Sequence, residues 1–416
     1  MERSYEGASA LVGRAVGPLS QHLTPYVDSL IRQQYVPAVV YVKAMHALSF
    51  DGWLARRRIA LRDLAEVHAW QFGRRRRRCR GCIRPQTKHR ERFDVLHVLR
   101  YLRTIGTCPA FPRATTPAVD LATAYEQHLR QQQGLADPSI ARYGRVAQQF
   151  LVERFGDADV NLRVVHVGDV IDFVRQQAKR LRPPAAKCVV NAMRSFLRYA
   201  QFRGEVTPEL VAAVPSVATW TTAPDLPKAI APEHAQRAID SCDLGTAVGL
   251  RDRAVLLILA RLGLRAGEII ALQLDDCDWD RGQLRVRGKG GRVGVLPMPV
   301  EVGRAIAAYL KRGRPRCEDR HLFLRSTAPI RGLQPGGDGV GSIVRYALKR
   351  ANIDAPHRGS HQFRHALAVR LLRGGASLYE IGEVLRHRSP QSTSIYARVD
   401  LEALRPLALR WPGGAQ

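Results

Sequence analysis

The sequence predicts a mainly α-helical protein with one small antiparallel β-sheet. Three observations predict it. Apolar residues recur at helical spacing along most of the 416 residues. At 283–296, two short alternating runs flank a glycine-rich turn, which is a hairpin signal. Proline-marked breaks divide the chain into several helical units, and its length suits two or three domains.

Residues 17–33 read as a polar-to-amphipathic lead. Tyr35 to Leu64 carries a helical pattern, with Val39, Val42, Met45, Leu48, Trp53 and Leu54 near one face. The run Arg74–Arg78 reads as a basic, solvent-exposed connection into a second helix, Phe93 to Ile105. Gly106, Pro109 and Pro112 then stop the pattern. Residues 1–115 thus form a basic helical region. A weak match between Tyr35–Leu54 and Asp137–Phe155, both proline-started helices, makes this region a candidate extra DNA-binding module.

The second unit, 116–214, takes four helices, at about 118–132, 138–155, 167–180 and 184–203. In the second helix Ile140, Tyr143, Ala147, Phe150 and Leu151 share a face, opposite Arg142, Arg145 and Gln149. In the fourth, Val189, Met193, Phe196, Leu197 and Ala200 oppose Lys187, Asn191, Arg194 and Arg198. One basic stripe is usually a solvated face, but two in one small unit suggest a major-groove surface. Residues 215–228, with Pro215, Pro224 and Pro227, read as a linker.

The third unit, 229–403, opens with an apolar helix at Leu250–Leu262. Gln283–Arg287 and Arg292–Leu296 are the two strands, joined by Gly288-Lys289-Gly290-Gly291. Helices are expected at 299–312, 339–351, 361–374, 377–386 and 389–396. Residues 404–416 form a tail. Leu401, Leu404, Leu407, Leu409 and Trp411 in the last segment suit packing on this unit or on a neighbouring protomer.

Charge narrows the function. There are 65 Lys+Arg against 37 Asp+Glu, a net +28, which points to a polyanionic partner, most often nucleic acid. Residues 1–115 hold 21 basic and 8 acidic residues, and 229–416 hold 30 and 18, so the excess sits at the two ends. Only 8 of the 65 are Lys, and Arg is the residue of bidentate phosphate contact. No stretch has the length and apolarity of a membrane span, and the acidic start with Glu2 and Glu6 does not read as a secretory signal. Seven scattered cysteines make no disulfide framework. A reducing, prokaryotic cytoplasm is expected.

Phosphate-handling residues gather in the third unit. Arg265 follows the apolar helix at the glycine-marked turn Leu262-Gly263-Leu264-Arg265. Lys289 sits at the hairpin tip. His361 and Arg364 stand at i, i+3 on a helix start, and His387 and Tyr396 follow. Each alone is more often structural; their order together is specific. This set and order resemble the tyrosine recombinase (phage integrase) family, in a form carried by mobile elements. The segment Ser360–Asp400 is the closest match, including Leu371–Ala376. One position departs from the family, which usually has glycine before the second histidine; here it is Arg386.

The resemblance implies a helical core-binding (SAM-like) domain at 116–214 and a catalytic domain at 229–403, closing on duplex DNA as a clamp. It implies Tyr396 as nucleophile, forming a 3′-phosphotyrosyl link. Arg265, Arg364 and His387 would hold the phosphate, His361 would assist proton transfer at Tyr396, and Lys289 would protonate the leaving 5′ oxygen. It implies a homo-tetramer on two DNA sites or assembly with partner recombinases. No cofactor or metal is expected. Arg142, Arg145, Lys187, Asn191, Arg194, Arg198 and Arg292 are the candidate DNA contacts. Type IB topoisomerase activity and a catalytically silent DNA-binding accessory role remain alternatives. Two stretches tempt a metal reading. Cys79 and Cys82 with His89 lack a second ligand pair at normal spacing, and Asp275-Asp276-Cys277-Asp278 reads as a solvated loop.

Overall fold

The computed structural model describes residues 4–74, 86–108, 116–216, 229–288, 293–335, 339–355, 357–387 and 389–397, with backbone alone at 86–90. The protein is mainly helical with one small antiparallel sheet, the fold class the sequence predicts. The chain divides into two compact units, Met1–Cys108 with Asp225–Gln416, and Pro109–Pro224.

At the N-terminus, helices α1 (Tyr5–Val12), α2 (Ser20–Arg32), α3 (Pro37–Arg56), α4 (Glu66–Arg74) and α5 (Gln86–Thr104) share an apolar core. The lead segment is a true helix: Leu23, Tyr26, Val27 and Leu30 recur at i, i+3, i+4, i+7 and all are buried. Helix α3 is shorter than Tyr35–Leu64, because Arg58 adopts a positive φ of 52° just past its end. Its buried face is also rotated from the expected one. Val40, Ala44, Ala47, Phe50 and Leu54 point inward, while Met45 is exposed and Val39, Val42 and Leu48 are half-buried. Phe50 decides this, stacking on Trp53 and meeting Phe72 edge-on. Asp51 is buried and accepts the backbone N–H groups of Gly17 (2.8 Å) and Leu19 (2.7 Å), which fixes the turn into α2.

The second unit holds α6 (Pro117–Gln131), α7 (Asp137–Phe155), α8 (Val167–Arg180), α9 (Pro183–Phe202) and the short α10 (Pro208–Ala212). Four of the five start with proline in the first turn, where its missing N–H costs no hydrogen bond. Tyr125, Phe150, Phe173 and Phe196 interlock as edge-to-face rings in its core.

From residue 229, α11 (Pro232–Asp240), α12 (Ala247–Leu262) and α13 (Ala266–Ile270) precede strands β1 (Cys277–Asp278), β2 (Gln283–Arg287) and β3 (Val293–Pro297). Helices α14 (Val300–Arg312), α15 (Val340–Arg350), α16 (His361–Arg373), α17 (Leu378–Leu385) and α18 (Gln391–Ser394) follow. The sheet order is β1-β2-β3, all antiparallel, with Arg287 opposite Val293 and Gln283 opposite Pro297. Helix α12 is buried on nearly all sides, and even its charged pair Arg251–Asp252 is buried and bonded at 2.8 Å.

Two expectations are corrected here. The acidic run is not a solvated loop. Asp276 is buried, accepts the Gln273 backbone N–H and pairs with Arg287 at 2.5 Å, and Cys277 and Asp278 form β1. The expected helix 389–396 is one turn, Gln391–Ser394. The tail 404–416 and its apolar segment lie outside the described residues.

Candidate active site

Arg265 owes its place to the end of α12. That helix closes on Gly263 at φ 58°, ψ 29°, in the left-handed region. A Cβ at Gly263 would come within 2.9 Å of both Leu367 Cδ2 and Leu385 Cδ2, so glycine alone fits. Leu264 then buries, and Arg265 emerges in extended conformation just before α13. Glu268, one turn on, accepts the Arg265 backbone N–H (2.9 Å) and its Nη1 (2.8 Å). It also takes Arg386 Nη2 at 2.8 Å. Burial alone would raise the Glu268 carboxyl. The Arg265 N–H, the charge of Arg386 and the Arg265 side chain outweigh it, so the carboxyl sits below its ordinary value.

Arg364, one turn into α16, is buried. Its Nη1 donates to the Gly263 carbonyl at 2.5 Å, and its Nη2 donates to the Leu385 carbonyl. Those carbonyls close α12 and α17, so one guanidinium ties three helix ends together. Two of its five N–H donors serve this purpose. Burial, then the charge of Arg265, lower its pKa to about 10, still protonated at neutral pH.

Tyr396 is buried, and its hydroxyl lies 2.9 Å from His365 Nδ1. The expected partner was His361. Its ring lies 6.2 Å from that of His365, and it is His365 that the hydroxyl meets. Burial raises the Tyr396 pKa, and Arg364 and then Arg265 pull it back. The imidazole of His365 is pushed down by burial, then by His361 and Arg364. His361 is lowered by desolvation, then by Arg364 and Arg265.

His387 stands over Tyr396 with ring centroids 6.4 Å apart and planes 7° from parallel. Its Nδ1 lies 2.7 Å from the buried Thr393 hydroxyl, which leaves Nε2 as the nitrogen for a ligand. Burial and the charges of Arg364 and Arg265 drop its pKa to about 4, so it is neutral at pH 7.

The structure therefore brings together Arg265, His361, Arg364, His387 and Tyr396. Lys289 and Arg292 lie outside the described residues, between β2 and β3 in the sequence. Sequence reading missed His365, Glu268 and Thr393. The first two had a helical signal: His365 stands four residues after His361, and Glu268 three after Arg265. Thr393 had none.

In the second unit, Arg142, Arg145, Lys187, Asn191 and Arg198 are exposed, and Arg142 Nη1 reaches Cys188 Sγ at 3.7 Å across α7 and α9. The two basic stripes thus adjoin. Arg194 departs from the expected solvent-facing stripe: it is half-buried and donates to the Val214 carbonyl at 3.0 Å. Cys79 and Cys82 lie outside the described residues, as does the side chain of His89. Among the described residues no cluster of His, Cys, Asp or Glu is arranged to hold a metal. No described helix is long and apolar enough to cross a membrane.

A tyrosine hydroxyl thus sits among two arginines and three histidines on a mainly helical frame. Comparison with known proteins gives the family. Residues 228–402 match the Phage integrase family. The chain is 45% identical over 406 residues to a Sinorhizobium fredii protein named as an integrase/recombinase, y4rA, covering 96% of each. It is 28% identical to the tyrosine recombinase XerD of Corynebacterium glutamicum, over 70% of this chain and 97% of that one. Its fold is similar to the crystal structure of the XerH site-specific recombinase in a post-cleavage complex with palindromic difH. That likeness has a TM-score of 0.55 and 18% identity, over 70% of this chain and 84% of that one. The chain belongs to the phage integrase family of tyrosine recombinases, enzymes that cleave and rejoin DNA.

Proposed function

We propose that the protein is a site-specific DNA recombinase of a mobile element, acting on duplex DNA through a 3′-phosphotyrosyl intermediate at Tyr396. The observation that carries this reading is the hydrogen bond between Tyr396 and His365, within a shell formed by Arg364, Arg265 and His387. A phenol is a poor nucleophile at neutral pH and needs an acceptor for its proton. Neutral His365 accepts it as the Tyr396 oxygen bonds to phosphorus. Arg265 and Arg364 stabilise the charge on the non-bridging oxygens, with His387 Nε2 beside them. The bond to the 5′ oxygen breaks, and Lys289 gives that oxygen its proton. The phosphotyrosyl link keeps the energy of the broken phosphodiester, so the balance of the reaction needs no ATP.

The exposed stripe of Arg142, Arg145, Lys187, Asn191 and Arg198 is the second DNA-facing surface in this reading, and Arg292 is a further candidate contact. Residues 1–115, 116–214 and 229–403 are its working domains, and a tetramer on two sites is the working assembly. The relative XerH, crystallised with its difH substrate, supports DNA as the partner.

A plasmid with two copies of the element's end, incubated with the protein, tests the reading. Recombinant molecules with exchanged flanks are expected. Loss of supercoils without exchange would instead assign a topoisomerase.

A further inference from the structure

We propose that Arg386 is a positioning residue that sets Arg265 for phosphate, an inference that rests on the cleavage reading above. Arg386 occupies an uncomfortable backbone position. It ends α17 at φ 54°, ψ 52°, in the left-handed region that favours glycine. An arginine at such a site calls for a compensating role, and its side chain supplies one.

That side chain crosses to two other elements. Its Nη2 meets Glu268 Oε2 at 2.8 Å, 118 residues away in sequence. Glu268 is buried and is the same carboxylate that holds Arg265 by side chain and backbone. On the way, Arg386 passes over β3. A Cβ at Gly294 would stand 3.4 Å from Arg386 Cδ, ordinary contact, so the side chain lies against β3 there. Its Nη1 is buried and has no hydrogen-bond partner among the described residues. Arg386, the residue before His387, thus meets the carboxylate that holds Arg265 and lies against β3.

The chemistry follows from charge sharing. A buried carboxylate with one cation holds it closely. With two cations, Glu268 divides its acceptor capacity, and Arg265 keeps donors for a phosphate. Without Arg386, Glu268 claims Arg265 for itself.

Arg386→Gly tests this well, because glycine suits the left-handed backbone. The experiment follows single-turnover adduct formation on a nicked duplex at saturating DNA, with DNA affinity and Tm measured on the same full-length variants. Arg386→Gly is expected to slow adduct formation at least tenfold, with affinity within twofold of the parent and Tm unchanged or higher. Arg386→Lys, which keeps the charge, should recover most of the rate. Adding Glu268→Gln to Arg386→Gly should also recover rate, since a neutral amide releases Arg265. An unchanged rate in Arg386→Gly overturns the proposal. So does weaker DNA affinity with an unchanged rate at saturation, which would make Arg386 a direct DNA contact. A parallel fall in Tm and rate that neither Arg386→Lys nor Glu268→Gln relieves overturns it as well, as a purely structural role. A parent protein without any adduct removes the cleavage reading itself, and the proposal falls with it.

Discussion

The Tyr396 hydroxyl faces His365, and the state of that imidazole sets its use. Burial, then His361 and Arg364, hold the His365 imidazole below its ordinary value, which favours the neutral ring that accepts a proton. His365→Ala should therefore slow adduct formation by about 10²-fold or more, the usual scale for losing a positioned base. The sign of the pH dependence follows. The rate should fall as acid protonates His365, and that limb should move to lower pH in His365→Ala, where only His361 and His387 remain to titrate. A pH–rate profile of both proteins checks this. Residue types and order made Arg265, Arg364, His387 and Tyr396 legible, because few side chains handle phosphate. His365 was not, because nothing in the sequence says which of two histidines one turn apart reaches a tyrosine 31 residues on. Arg194 misled for a related reason: helical periodicity gives its face, but not the Val214 carbonyl that meets it there.

At the scale of elements, the site depends on where three helices end. Gly263, Arg364 and Leu385 close one knot between α12, α16 and α17. Gly263→Ala adds a Cβ against two leucine methyls at a positive φ, and should destabilise the protein by roughly 2–3 kcal/mol. A lower denaturation midpoint in urea, together with lost adduct formation, would bear this out; an unchanged midpoint would not. The glycine-marked turn was readable in the sequence, and so were the hairpin and most helix boundaries, since periodicity, proline and glycine are local signals. The face of α3 was not, because Met45 and Phe50 are both apolar and only Phe50 has Trp53 and Phe72 as neighbours. Nor was the burial of Asp276, which Arg287 on a later strand makes tolerable.

For the whole molecule, a net charge of +28 and two adjoining basic stripes predict DNA binding driven by counterion release. Lys187→Ala and Arg198→Ala should each reduce the slope of log affinity against log salt by about one. Arg194→Ala should leave that slope alone and lower stability instead, since its guanidinium serves Val214. Titrations at several salt concentrations, with thermal melts, separate the two outcomes. Equal slopes for all variants would remove the second unit's stripe from the DNA surface.

Trapping the covalent bond to Tyr396 tests the proposed reaction at its first step. The protein is incubated with nicked duplexes carrying the element's end, and the denatured product is digested and mapped by mass spectrometry. A nucleotide on Tyr396, absent from Tyr396→Phe, is the predicted result. An adduct on another residue, or one that persists in Tyr396→Phe, would rule out Tyr396 as the nucleophile.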